Sequence, residues 1–209
     1  NDTIDVVKNA GRVDQLAKKL KLKENSANLG IAHTRWATHG VPSEKNAHPH
    51  SSKDIFIVHN GIVENHEELK AQLRAEGMRV SSQTDSEVVA HLVQYYVEKG
   101  QSFEKAVFNA IKKLKGAYAL GILNKKEPEQ LIGIRNQSPL VLGKGFQENF
   151  IASDVMALAP VTNKFIYLDD GQVAIINKTK LDIRTANNQK ARTKTHEVDS
   201  NAYTTDLAG

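Results

Sequence analysis

The chain has 209 residues, 40% hydrophobic and 25% charged, a composition typical of a soluble globular domain with a sizeable core. No apolar run approaches the roughly 18 residues that span a bilayer, and no signal peptide opens the chain, so we expect a cytoplasmic protein without membrane contact. The formal charge of +4 is mild, and the basic stretch 178–194 lacks interleaved aromatic residues, which argues against a nucleic-acid partner. Cysteine is absent, which excludes disulfides and thiolate metal sites among these residues.

Helical periodicity dominates the first half of the chain. Apolar stripes predict helices over 13–20, 65–76, 87–99 and 102–114. Thr84-Asp85-Ser86-Glu87 has the sequence of a capping box and predicts the start of the third helix. Apolar runs predict strands over 29–36 and 55–59, joined by a polar loop, 37–52, that holds three histidines. Loops of that length without secondary structure are usually functional.

Short strands dominate the second half. Apolar and β-branched runs predict strands at 118–123, 130–134, 140–142, 150–152, 165–168, 172–176 and 181–183. Asp170-Gly171 indicates a hairpin turn, and 154–158 indicates one or two helical turns. Helices between blocks of strands predict an α+β domain in which helices cover sheet faces. The polar tail 199–209 predicts the start of a linker, which places the domain at 1–198.

Two kinds of hydrolytic site find little support. Six of the eight histidines lie between residues 33 and 66, and His48-Pro49-His50 has the His-x-His spacing of some metal sites. No Asp follows immediately, so hydrogen-bonded loop and strand histidines are the favoured interpretation and no metal is expected. A serine hydrolase would need a Gly-x-Ser-x-Gly elbow, and the sequence has none; it also lacks a glycine-rich phosphate loop.

Polar side chains suited to a small zwitterion stand at the ends of three predicted elements. Arg35 offers a planar fork to a carboxylate, and Asp85 offers a negative charge to an ammonium group. Asn60 and the Gly61 N–H offer two donors to an oxyanion. A plainer interpretation stays open, in which Asp85 caps its helix, Arg35 forms a surface ion pair and Asn60-Gly61 is a hairpin turn.

Long motifs resemble the glutaminase domain of the glucosamine-6-phosphate synthase family. These motifs are IAHTRWATHG at 31–40, NAHPH at 46–50 and VHNGIVEN at 58–65, with shorter matches at 84–87, 116–118, 138–140 and 149–154 in family order. The related amidophosphoribosyltransferase glutaminases share the Arg and the Asn-Gly but not the Trp-Ala-Thr-His-Gly continuation. They are therefore the more distant alternative.

The resemblance implies a four-layer αββα sandwich of the N-terminal-nucleophile hydrolase type. It implies hydrolysis of L-glutamine without a cofactor, and transfer of the ammonia to a sugar-isomerase domain that makes glucosamine 6-phosphate from fructose 6-phosphate. A full-length homodimer is expected. By the family's motifs, Arg35 would hold the α-carboxylate and Asp85 the α-ammonium, Asn60 and Gly61 would form the oxyanion hole, and Trp36 would gate the ammonia channel. Thr38 and His39 would line the pocket.

The same resemblance implies a nucleophile that these residues do not contain. In the family it is an N-terminal Cys whose own α-amine acts as base. A head segment of roughly forty residues, with that Cys, is expected before Asn1, and the isomerase domain beyond Gly209. The residues as given are therefore expected to be inactive, and a non-catalytic glutamine-binding or partner-interaction module is the alternative.

Overall fold

The structure is a computed structural model and describes residues 4–20, 27–36 and 40–198. Its helices are α1 Val13–Lys19, α2 His66–Ala75, α3 Glu87–Glu98 and α4 Phe103–Ile111, with 3-10 turns at Glu44–Asn46 and Val155–Ala157. Its strands are β1 His50–Ser52, β2 Ile55–Gly61, β3 Tyr118–Asn124, β4 Leu131–Asn136, β5 Val141–Lys144, β6 Asn149–Ala152, β7 Lys164–Tyr167, β8 Gln172–Ile176, β9 Leu181–Arg184 and β10 His196–Glu197. The predicted linker 199–209 lies outside the described residues.

Two antiparallel sheets pack face to face. The larger has the strand order β1-β2-β3-β4-β8-β9, and the smaller has the order β10-β7-β5-β6. β3 lies in the middle of the larger sheet and is buried along its whole length. Its residues alternate between two cores: Leu120 and Ile122 face the helices, whereas Ala119 and Leu123 face the second sheet. This period of two is what a strand covered on both faces requires.

Helices cover the outer face of the larger sheet. The apolar residues of α2, α3 and α4 share one core with Ile55 and Ile57 of β2. The outer face of the smaller sheet is covered by the 3-10 turn Val155–Ala157 and its neighbours, which pack on Val141 and Phe165. The α+β sandwich predicted from the sequence is confirmed. Among the described residues, no helix has both the length and the apolar character needed to cross a bilayer.

Most predicted elements form within two residues of their predicted bounds. Helix α4 ends three residues before its predicted end at 114, and Ser102 caps its start by accepting the Lys105 N–H at 3.4 Å. The strand predicted at 29–36 is wrong: the segment is extended but has no ladder partner in the described structure. Its apolar residues Leu29 and Ile31 pack against the core between the sheets. The alternating pattern therefore records side-chain burial without backbone pairing.

Two local signals also lead to wrong predictions. Asp170-Gly171 does form a turn, but it joins β7 of the smaller sheet to β8 of the larger one, so no hairpin results. The capping box at 84–87 is not formed, because the N-cap residue of α3 is Ser86 and its side chain makes no capping bond. The Thr84 hydroxyl lies instead 3.0 Å from Nε2 of His50, a contact that only the tertiary structure supplies.

The loop predicted over 37–52 is partly structured. Residues 44–46 form a 3-10 turn, and β1 pairs with β2 as an edge strand of the larger sheet. Asn46 then ties this segment to the start of α3: its side chain donates to Oε1 of Gln83 at 3.0 Å and accepts from the Gln83 N–H at 3.1 Å. His48 and His50 are thereby held next to β2: His50 pairs with Ile57, and His48 shares the Ser86 hydroxyl with His59.

Candidate functional site

A cavity of about 390 Å³ opens where β2 ends. Five of the seven site residues predicted from the sequence line it: Arg35, Trp36, Asn60, Gly61 and Asp85. The other two, Thr38 and His39, lie outside the described residues. The remaining lining residues were not among the predicted site residues; they are His33, Thr34, His48, His59, Thr84, Ser86 and Ser153.

Asn60 and Gly61 belong to a strand, so their interpretation as a hairpin turn is wrong. They pair with Ala119 and Tyr118 of β3. Gly61 has a φ of 115°, and a Cβ there would lie 2.1 Å from the carbonyl oxygen of Ala117. Only glycine fits this backbone without displacing Ala117, the residue before β3. β2 thus ends beside the cavity on a residue that has no side chain to cover its main chain.

Arg35 holds the entrance loop of the cavity. Its guanidinium donates to the carbonyl oxygens of Gly40 at 2.9 Å and Val41 at 3.3 Å. Gly40 in turn lies against the side chains of Gln83 and Asn46, where a Cβ would be 2.7 and 2.8 Å from their atoms. One cation therefore both faces the cavity and fixes the chain at residues 40 and 41.

Asp85 is a buried anion that ties the start of α3 to the end of β2. It is 3% exposed, and its Oδ2 accepts the Val63 N–H at 2.8 Å. The same oxygen lies 4.0 Å from Nδ1 of His59. The interpretation of Asp85 as a helix cap is wrong, since its carboxylate contacts β2 and not the first turn of α3. A charge so placed is available to a cationic group in the cavity.

A row of neutral imidazoles, the imidazole stack, runs from the cavity wall at His33 and His48 to the buried His50. The ring centroids of His33 and His48 are 4.1 Å apart, and those of His48 and His50 are 4.8 Å apart. Burial, reinforced by the neighbouring His33, lowers the pKa of His48 to about 2. Burial also lowers the pKa of His50 to about 4, with a smaller contribution from Lys8. The described residues hold no group of His, Asp or Glu arranged as a metal site.

His59 completes this wall from β2. Its Nδ1 lies 2.8 Å from Oγ of Ser86, and Nε2 of His48 lies 3.2 Å from the same oxygen. Burial lowers the pKa of His59 to about 4, although the nearby Asp85 carboxylate acts to raise it. In the sequence, the one indication that His59 belongs to the site is that it directly precedes Asn60. Its hydroxyl partner could not be read from the pattern.

Glu87 anchors the polar network on the far side of the stack. Its carboxylate accepts the N–H groups of Ser81 and Ser82 and lies 3.3 Å from Nε2 of His91. Burial would raise the pKa of Glu87, but the hydrogen bonds from His91 and the two serines hold it well below its usual range. The other ring nitrogen of His91 lies 2.9 Å from Oγ of Ser52, so α3 and β1 are joined through buried polar groups.

The rim of the cavity carries Trp36, whose side chain is 89% exposed. An exposed large aromatic side chain at the mouth of a polar cavity is unusual, because most large apolar side chains are buried. The position is adjacent to Arg35, and so to the loop that Arg35 holds. The cavity thus combines a cation, an anion, two uncharged donors and an aromatic rim.

Residues 33–160 match the model of a family described as the glutamine amidotransferase domain. This chain belongs to that family. The match includes every described residue of the predicted site, from Arg35 to Asp85. The fold accordingly is the N-terminal-nucleophile type that the sequence resemblance implied.

Relatives of this glutamine amidotransferase domain are named glutamine–fructose-6-phosphate aminotransferase (isomerizing). The Acinetobacter baylyi protein is 50% identical over 173 residues, which cover 83% of this chain and 28% of that protein. The Haemophilus influenzae protein is 48% identical over 187 residues, which cover 90% of this chain and 31% of that protein. The chain thus spans less than a third of the length of these relatives.

Solved structures place the same domain in a second group of enzymes. The glutamine phosphoribosylpyrophosphate amidotransferase of B. subtilis, complexed with ADP and GMP, aligns with a TM-score of 0.60 and 26% identity. The alignment covers 77% of this chain and 35% of that one. A structure of the allosteric regulatory enzyme of purine biosynthesis aligns with a TM-score of 0.61 at 27% identity, over 74% of this chain and 34% of that one. These proteins are more distant in sequence than the aminotransferases.

Proposed function

We propose that this domain hydrolyses L-glutamine to glutamate and ammonia. The observation that carries the proposal is the meeting of Arg35, Asp85, Asn60 and Gly61 in one cavity of about 390 Å³. A free amino acid has a carboxylate and an ammonium group on one carbon, and recognition of both needs one cation and one anion in close proximity. The two uncharged donors are then free to act on the side-chain amide of the substrate.

The charged pair accounts for selection of the amino-acid head. The Arg35 guanidinium binds the α-carboxylate, since its fork can contact two oxygens at once. Asp85 binds the α-ammonium group, and its burial strengthens the attraction because little water screens it. Thr38 and His39 follow in the motif and line the same pocket by resemblance to the family. By the same resemblance, Trp36, which is exposed at the rim, would gate the path that the ammonia takes.

The uncharged donors act on the reacting carbon. A thiolate adds to the δ-carbonyl carbon of glutamine, and the carbonyl oxygen becomes an oxyanion that accepts from the Asn60 amide and the Gly61 N–H. The C–N bond then breaks, ammonia leaves with a proton from the protonated base, and water hydrolyses the thioester to glutamate. The nucleophile is an N-terminal Cys with its own α-amine as base. The 209 residues contain no cysteine, so that group has to come from a preceding segment.

The ammonia serves a second reaction in the full-length protein. The relatives are named for glutamine and fructose 6-phosphate, and more than two thirds of their length lies beyond the part that matches this chain. A sugar-isomerase domain there would combine the ammonia with fructose 6-phosphate and form glucosamine 6-phosphate. The proposal extends to a cytoplasmic homodimer, which size-exclusion chromatography with light scattering of the full-length protein would test.

The direct test measures glutamate and ammonia released from L-glutamine by the protein that begins with the cysteine, with Cys→Ala as the inactive control. Arg35→Ala should weaken binding of glutamine by about 30-fold or more, because one partner of a desolvated charge pair is lost. D-glutamine and glutaramide, which misplace or lack the head groups, should be poor substrates. Equal turnover of glutaramide and L-glutamine would refute the assignment of the head-group site.

A non-catalytic glutamine-binding module is the second candidate, and the absence of cysteine from these residues favours it for this chain in isolation. Calorimetric titration of the 209-residue chain with L-glutamine separates the two. Binding without hydrolysis by this chain, with hydrolysis by the cysteine-containing protein, supports the glutaminase. Binding without hydrolysis in both proteins supports the module.

A further inference from the structure

The amide of Asn60 has a close neighbour that fixes which way it points. Nε2 of His33 lies 2.7 Å from Oδ1 of Asn60. The two ends of an asparagine amide have nearly the same shape, but only the NH₂ end can donate to an oxyanion. If the amide turned over, the cavity would face a carbonyl oxygen, which repels developing negative charge. The orientation of Asn60 is therefore a requirement of the chemistry.

The surroundings of His33 identify the ring nitrogen that carries the hydrogen. Besides Asn60, the main chain of His59 makes a hydrogen bond that acts to raise the pKa of His33, as an accepting carbonyl does. In the described part of the chain, Nδ1 of His33 is buried and has no hydrogen-bond partner, so Nε2 is the ring nitrogen that makes the hydrogen bond, at 2.7 Å from Oδ1 of Asn60. A nitrogen that faces a carbonyl oxygen must be protonated. The atom of Asn60 that faces it must then be the oxygen.

The strand register explains why the His59 carbonyl is free for this contact. Ile62 donates to the carbonyl oxygen of Ala117 at 2.7 Å, and hydrogen-bonded pairs alternate along an antiparallel ladder. Asn60 is therefore bonded to β3, whereas the His59 main chain points toward the β1 side. There the ladder between β1 and β2 ends at Ile57, so the His59 main chain lies beyond the last β1 pair.

The ring of His33 is held in its plane by the imidazole stack. It lies on the ring of His48 with an interplanar angle of 50°, and His48 meets the edge of His50 at 78°. His48 is fixed in turn by Oγ of Ser86 at 3.2 Å. Burial lowers the pKa of His33, so the ring is neutral near pH 7 and donates without adding charge to the cavity.

We propose that His33 is a positioning residue for glutamine hydrolysis, whose Nε2–H holds Oδ1 of Asn60 and so turns the Asn60 amide N–H toward the oxyanion. This inference rests on the proposed function. Because the oxyanion exists only in the transition state, the contribution of His33 falls on kcat and leaves the binding of glutamine to Arg35 and Asp85 unchanged.

Three variants of the cysteine-containing protein test the role. His33→Leu fills a similar volume without a donor and should lower kcat about tenfold with KM nearly constant. His33→Gln places an amide N–H near the position of Nε2 and should restore most of the loss. His91→Leu is the matched control: it removes another buried imidazole, one that contacts Glu87 and Ser52, and should lower the melting temperature while kcat stays within about twofold.

A double-mutant cycle separates positioning from general damage. If His33 acts through Asn60, adding His33→Leu to Asn60→Ala should cause no further loss of kcat. A kcat for His33→Leu equal to the parent, or a full additional loss in the Asn60→Ala background, would overturn the inference. Absence of glutamine hydrolysis in the parent would instead refute the proposed function. The two failures are thus distinguishable.

Nuclear magnetic resonance of the 209-residue chain tests the orientation of His33 and Asn60 directly. It requires no enzymatic turnover and no substituted protein. Long-range ¹H–¹⁵N spectra of the imidazoles should show a protonated Nε2 and an unprotonated Nδ1 for His33 from pH 6 to 8. The same spectra should show one slowly rotating Asn60 amide. The opposite tautomer of His33 would place a hydrogen on the wrong side of the ring and overturn the inference.

Discussion

Acidification from pH 7.5 to 5 should destabilise this domain, because three buried histidines stay neutral in the fold. Burial lowers the pKa of His48 to about 2 and the pKa values of His50 and His59 to about 4, against an ordinary value of 6.5. All three side chains are less than 9% exposed. In the unfolded chain they take up protons near pH 6.5.

The sign follows from the proton count in the two states. Between pH 6.5 and 4 the unfolded chain binds more protons than the fold, so the free energy of unfolding falls as the pH falls. Each ring that stays neutral costs about 1.4 kcal/mol per pH unit below 6.5, or about 2 kcal/mol at pH 5. Three rings give an upper value of about 6 kcal/mol, against a typical domain stability of about 5–15 kcal/mol. The lowered pKa of Glu87 adds to the loss below about pH 4.5.

The assay is urea unfolding of the 209-residue chain at pH 7.5, 6.5, 5.5 and 5, followed by circular dichroism. The slope of the free energy against pH should approach three protons taken up on unfolding at the acid end. His50→Gln, which cannot titrate, should reduce that slope by about one proton. A free energy of unfolding that stays constant from pH 7.5 to 5 would show that the rings accept protons inside the fold, and would refute the account of the stack.

Three substitutions probe the cavity itself. Asp85→Asn keeps an oxygen that can accept the Val63 N–H but removes the charge. The affinity for glutamine, measured by calorimetry, should therefore fall about 30-fold or more, with a melting temperature close to the parent's. Unchanged affinity would mean that Asp85 only joins α3 to the chain after β2. Asn60→Ala should lower kcat about 10²–10³-fold with KM nearly constant, and a rise in KM at constant kcat would count against the oxyanion role. Gly61→Ala places a Cβ 2.1 Å from the carbonyl oxygen of Ala117 and should cost about 2 kcal/mol or more of unfolding free energy. A urea midpoint equal to the parent's would show that the main chain at Ala117 can move aside.

Motif chemistry selected residues that the fold brings into one cavity, and their roles in binding and catalysis stay predictions. Arg35, Asp85 and the Asn60-Gly61 pair were selected because charge and donor types stood at the ends of predicted elements, and the cavity contains all four. Two further predicted site residues, Thr38 and His39, lie outside the described residues. The histidine wall was missed, since a histidine in a polar loop has the same local pattern whether it is solvated or stacked.

Local patterns decided the elements, because helical and strand periodicities reflect which face of a segment is buried. The sequence by itself therefore determined α2, α3, α4 and the central strands to within a few residues. The tertiary structure alone decided whether a segment finds a backbone partner: 29–36 packs Leu29 and Ile31 against the core without a ladder, and the turn at 170–171 crosses between sheets. It also decided the partners of the buried polar groups, His33 with Asn60 and Asp85 with Val63. Hydrogen bonds between groups 22 or 27 residues apart depend on how layers stack, and no short-range pattern encodes that distance.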